Sequence, residues 1–217
     1  MDYEILIRKA KKNIDEGFDK MGRVIKNPSF LERYLVAATL KAVKLSDAIE
    51  FLCKNNFNQE SLIILRSLIE HSINMRWIMN KNTEKRLKEY LSDLGKIKFG
   101  DYWTKQKFNK RMEEVGFENK EYYDYVVKIT YAYSHVNASS LEWEKVINDR
   151  RLGEKFANPQ AIYSIVAQML GHVQKSLDLH FKGKFNYYND IWNSIKVDRS
   201  SMKEKLEKIS NQFKDLK

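Results

Sequence analysis

Residues 61–77, Ser-Leu-Ile-Ile-Leu-Arg-Ser-Leu-Ile-Glu-His-Ser-Ile-Asn-Met-Arg-Trp, hold the side chains best suited to chemistry. If they form a helix, each residue turns about 100° from the last. Ile64, Leu65, Leu68, Ile69, Ile73, Met75 and Met79 then make one broad apolar arc. Arg66, Glu70 and Asn74 fall in line at i, i+4 and i+8 on the other side, and His71 sits at the arc's edge, about 140° from Arg66. Ile63 and Trp77 flank this polar line, so it is unlike a Lys/Glu solvent face. An imidazole titrating near neutrality can act as general acid or base, and a guanidinium fork can hold a phosphate or a developing oxyanion. The plain alternative is an intrahelical Arg66–Glu70 pair worth a few tenths of a kcal/mol.

A second set of chemistry-bearing residues lies in 97–118. Lys98, Tyr102, Trp103, Lys105, Lys107, Lys110 and Arg111 alternate cations with rings, as single-stranded nucleic-acid platforms do. The same aromatics equally suit a loop tucked into the core. Ser134 and His135 close an aromatic stretch, as extra site residues or as the cap of a helix end.

Other chemistries lack their residues. There is no GxxxxGK[ST] or GxGxxG phosphate loop, no HExxH, no GxSxG and no cysteine pair. The four histidines are not spaced as metal ligands on one helix, and neither a cofactor nor a metal is expected. The one cysteine, Cys53, lies in an apolar stretch and is expected to be a core residue. Lys and Arg number 39 against 29 Asp and Glu, a formal +10, which favours polyanionic partners such as RNA. A charged N-terminus and the lack of a long apolar run predict a cytoplasmic chain with no membrane span.

The segment RSLIEHSINMRWIM, with its Arg66-x4-His71 spacing and the later Ser134-His135, resembles the HEPN superfamily (higher eukaryotes and prokaryotes nucleotide-binding). It also resembles a poorly characterised bacterial family of all-helical proteins of unknown function. The HEPN resemblance implies a small all-helical domain and a metal-independent endoribonuclease of a toxin or antiphage kind. It further implies a homodimer with the site at its interface, and a protein partner such as an antitoxin. His71 would serve as acid or base, Arg66 would stabilise charge on the scissile phosphate, and Glu70 would orient Arg66. Asn74, Ser134 and His135 would stand around them. The rival expectation is a non-catalytic helical module that binds a protein or a nucleic acid.

The elements that must position these residues are read from apolar spacing. Only 2 Pro and 8 Gly in 217 residues favour long helices, and the length suits one domain, 1–217. The spacing predicts an all-α bundle of about six to eight mostly antiparallel helices. The first covers 2–26, and Ser29 caps the second, whose inner line is Leu31, Leu35, Ala38, Ala42, Leu45, Ile49 and Leu52. These two are expected to pair. Further helices are expected over 58–80, 83–96 and 118–136. Segment 97–118 reads as a loop or a loop with one short helix, and 137–157 is ambiguous. Asn158–Pro159 opens a helix to Phe181. Residues 198–217 carry an amphipathic helix whose seam, Met202, Leu206, Ile209, Phe213 and Leu216, packs on the bundle or on a second subunit.

Overall fold

The computed structural model describes residues 2–22, 27–92, 107–117, 120, 123–124, 126–127 and 158–185. Among them stand six helices and no strand: α1 Tyr3–Gly22, α2 Phe30–Lys54, α3 Asn58–Asn80, α4 Thr83–Ser92, α5 Phe108–Glu114 and α6 Pro159–Phe181. The expected all-α helical bundle is what the chain forms. No described helix is long and apolar enough to cross a membrane. The expected C-terminal seam, 198–217, and the ambiguous 137–157 lie outside the described residues.

Local chemistry sets the helix ends. Ser29 caps α2 in a complete capping box: its hydroxyl accepts from the Glu32 amide, and its own amide donates to the Glu32 carboxylate. Asn158 accepts from the Gln160 amide and Pro159 follows, as the sequence suggested for α6. The connections on either side of α3 each use an asparagine in the left-handed region, Asn56 at φ 64° and Asn82 at φ 50°. Asparagine tolerates that conformation better than most residues, so short reversals are available there.

Two helices form the centre. In α6 the run from Ile162 to Gln174 is buried without a break, and α3 buries Leu65, Leu68, Ile69, Ile73, Met75 and Ile78. A helix apolar round most of its circumference belongs inside a bundle. The two pack on each other, and α2 packs mainly on α3 and also on α6, adding Leu35, Ala38, Ala42 and Ile49 to the common core. Helix α1 lays Ile7, Ala10 and Ile14 mainly on α6 rather than on α2, its expected partner. The apolar girth of α6 offers α1 the larger surface, and the Gln174 amide donates to the Ala10 carbonyl at 3.0 Å. Lys11 still ties α1 to α2 through Asp47 and Glu50.

Smaller features close the ends of the bundle. Phe185 packs edge-on against Phe18 and lies on Gly17, where a Cβ would come within 2.2 Å of the ring. Cys53 is a buried core thiol beside Ser61, and burial pushes its pKa up. Of segment 97–118, residues 107–117 are described, and they hold the short helix α5, which packs on α3.

Candidate functional site

Helix α3 has one accessible strip. Glu60, Ile63 and Ser67 are exposed along it, Ile64, Arg66, Glu70, His71 and Asn74 are half-buried at its sides, and the other residues from Ser61 to Met79 are buried. At 100° per residue Ser67 marks the middle of the strip, with His71 and Ile64 on one shoulder and Arg66 and Glu70 on the other. The two shoulders meet different neighbours.

On the Glu70 shoulder the expected polar line makes two sets of hydrogen bonds. Arg66 Nε donates to Glu70 Oε1 at 3.0 Å, and the same oxygen accepts from the Tyr123 hydroxyl at 2.8 Å. Two donors on one oxygen fix the carboxylate, which in turn fixes the guanidinium. The Arg66 and Glu70 side chains remain 39% and 37% exposed, so the pair opens to solvent. Further along, Arg111 on α5 donates to Asn74 Oδ1. Burial pushes the Arg111 pKa down to about 10, while Glu70 and Tyr123 nearby favour its charge. Burial, then the Glu70 carboxylate, push the Tyr123 hydroxyl well above its ordinary range, so it stays a proton donor.

Beyond Arg111, whose guanidinium lies 5.9 Å from the centre of the Trp77 ring, stands a clamp around Trp77. The Trp77 indole donates to Glu114 Oε2 at 3.1 Å, and Arg86 from α4 donates to Glu114 Oε1 at 2.6 Å. The Arg86 guanidinium also lies 4.0 Å over the Trp77 ring and donates to the Trp77 carbonyl. Lys81 and Asn80 reach the same carboxylate. One acidic side chain of α5 thus gathers α3 and α4.

On the other shoulder, His71 Nε2 lies 2.7 Å from the Ala38 carbonyl of α2. A carbonyl can only accept, so Nε2 carries the proton there and Nδ1 is the basic nitrogen. Burial, with Lys41 adding to it, lowers the His71 pKa against the opposing pull of Ala38, so the imidazole is neutral at pH 7.

The sequence candidates therefore separate. Arg66 and Glu70 bond each other and Tyr123, Asn74 on the same side bonds Arg111, and His71 borders the strip from its far side, bonded to α2. In the basic and aromatic segment Lys107 and Lys110 are exposed. Arg111, expected at a nucleic-acid surface, is 3% exposed and turned inward to Asn74 and the Phe108 and Trp77 rings. Lys98, Tyr102, Trp103, Lys105, Ser134 and His135 lie outside the described residues. Tyr123, Arg86 and Glu114 were not foreseen, because nothing near them in sequence names a partner 28 to 53 residues away.

Two further histidines sit on α6. His172 is buried beside Arg76 and the edge of Phe117, and burial, then Arg76 and Lys175, push its pKa down to about 3. His180 lies 3.7 Å from Glu32. Among the described residues no three His, Cys, Asp or Glu side chains are grouped to hold a metal ion.

Residues 32–98, which take in α2 from Glu32 onward and all of α3 and α4, match the model of a family of unknown function (DUF5677). The match takes in Arg66, Glu70, His71 and Asn74 and leaves out Arg111 and Tyr123. No curated protein and no solved structure matches the chain.

Proposed function

We propose that the chain is a HEPN-like, metal-independent endoribonuclease whose active centre is completed by a second copy. The observation that carries this is the position of Arg66 and His71 on opposite shoulders of one accessible strip, about 140° apart on a single helix. Within one chain that gap, and their separate tethers to Glu70 and Ala38, keep them from acting on one phosphate. Two strips facing each other about a two-fold axis would oppose the Arg66 shoulder of one copy to the His71 shoulder of the other.

In such a site the neutral His71 takes the proton of a ribose 2′-hydroxyl at Nδ1. The 2′-oxygen attacks phosphorus, the P–O5′ bond breaks, the 5′-oxygen takes a proton from water, and a 2′,3′-cyclic phosphate remains; the imidazolium then returns its proton to the hydroxide. Arg66, held by Glu70, stabilises the charge that grows on the phosphoryl oxygens. The Tyr123–Glu70 bond supports a fixed guanidinium, because a carboxylate anchored from a second element cannot swing away with it.

One observation favours the rival, a non-catalytic helical module that binds a protein or a nucleic acid. Both Arg66 and His71 already have partners inside their own chain, so neither needs a substrate to be satisfied. Incubation of purified protein with RNA in EDTA separates the two. Cleavage to cyclic-phosphate ends that His71→Ala and Arg66→Ala abolish supports the nuclease. Salt-dependent RNA binding without cleavage, or cleavage equal in the variants, refutes it.

A further inference from the structure

Helix α2 presents an outer face that the core does not use. Phe30, Leu40 and Phe51 stand 61%, 53% and 66% exposed there, among the largest apolar exposures in the described chain. With exposed Ala37 and half-buried Ala48 they fall within about 80° of one another on the helix circumference. The seam runs from Phe30 to Phe51, about 32 Å at 1.5 Å per residue. Positions 30, 37, 44 and 51 repeat every seven residues, with Leu40 three beyond Ala37, the spacing at which one helix meets another. Three large apolar side chains left in water on one face add nothing to the core of the described residues, and such patches mark interaction surfaces.

The charges on this face are nearly all of one sign. Arg33, Lys41, Lys44 and Lys54 are exposed around the seam. The exposed carboxylate, Asp47, is already held by Lys11 at 2.5 Å. A second copy laid on this face would set cations against cations. A nucleic acid would suit the charges but would leave Leu40 and Ala37 without a base to stack on. We propose that the outer face of α2 docks an acidic amphipathic helix of another protein, with apolar residues at heptad spacing over Phe30, Ala37, Leu40 and Phe51 and carboxylates beside Lys41, Lys44 and Lys54. This surface adjoins the α3 strip at Lys41, which acts on His71. The positions varied below, Leu40, Lys44 and Phe51, touch no residue of the proposed nuclease centre, so the assignment is tested independently of the nuclease.

The probe is a fluorescein-labelled peptide as long as α2, with leucine at the a and d positions of each heptad and glutamate at most others. A second peptide carries lysine in place of glutamate. Anisotropy titrations are run with the full chain, with Leu40→Glu, with Phe51→Glu and with Lys44→Glu; all three positions are exposed, and a urea midpoint checks that each variant folds. The acidic peptide is expected to bind and the basic one not. Leu40→Glu and Phe51→Glu should each weaken binding at least about tenfold, and added salt should weaken it further. Lys44→Glu should weaken the acidic peptide and strengthen the basic one. Equal binding of both peptides, no binding, or indifference to these substitutions overturns the proposal. So does a dimer in light scattering that Leu40→Glu splits, which would give the face to a second copy, or an RNA oligomer that binds the chain and is lost with the same variants.

Discussion

Replacing Glu114 by alanine should be among the most damaging single changes on α5. Its carboxylate accepts from the Trp77 indole at 3.1 Å and from the Arg86 guanidinium at 2.6 Å. The Arg86 side chain is only 9% exposed and that of Glu114 18%, so water cannot replace the lost partner fully. Removing one member of a buried pair costs about 3–5 kcal/mol, and the remaining exposure and the Trp77 carbonyl bond reduce it here to about 3 kcal/mol. With a urea slope of about 2 kcal/mol per molar, the unfolding midpoint should fall by about 1.5 M at unchanged slope. Removing both partners, as in Arg86→Leu with Glu114→Leu, should cost less than the sum of the single changes by at least about 1 kcal/mol. A loss under about 0.5 kcal/mol for Glu114→Ala, or strict additivity in the double variant, would refute the clamp.

Two other stability effects follow from the packing. Gly17→Ala gains helix propensity of up to about 1 kcal/mol but sets a methyl group 2.2 Å from the Phe185 ring, so a net loss of about 1–3 kcal/mol is expected in urea unfolding. Phe185→Leu should relieve part of that loss in the double variant. His172 has a folded pKa of about 3 against an ordinary 6.5, so between those values the unfolded chain binds the extra proton. Its contribution is intact above about pH 6.5 and is lost as the pH falls toward 3. The urea midpoint should therefore drop further between pH 7 and pH 5 in the wild-type chain than in His172→Leu, and equal drops would contradict the assignment.

The helices were legible where a local signal names them. Ser29, and Asn158 with Pro159, are caps written in the local sequence, and both form as read, with Glu32 completing the box at Ser29. The polar line Arg66–Glu70–Asn74 was also legible, because three residues four apart must share a face of any helix. Its partners were not. Angular arithmetic on one helix says which side a residue takes but not which helix waits there, and His71 went to Ala38 while Glu70 went to Tyr123. Arg111 shows the same limit. In a run of cations and rings only its place on α5, three residues beyond Phe108 and beside buried Met112, turns it inward. The pairing of α1 with α2 failed for a related reason: proximity in sequence competes with apolar area, and α6 has more of it. The outer seam of α2 escaped notice because its inner line, Leu35, Ala38, Ala42 and Ile49, already accounts for an amphipathic helix.

The most direct test of a nuclease centre shared between two copies is complementation in mixed dimers. Arg66→Ala and His71→Ala chains, each folded and each inactive alone, are mixed, exchanged and assayed for RNA cleavage in EDTA. A mixed dimer keeps one centre with both side chains intact, so about a quarter of wild-type activity should return at equal mixing. No return of activity from two folded, exchanging variants would contradict a centre built from Arg66 of one chain and His71 of the other.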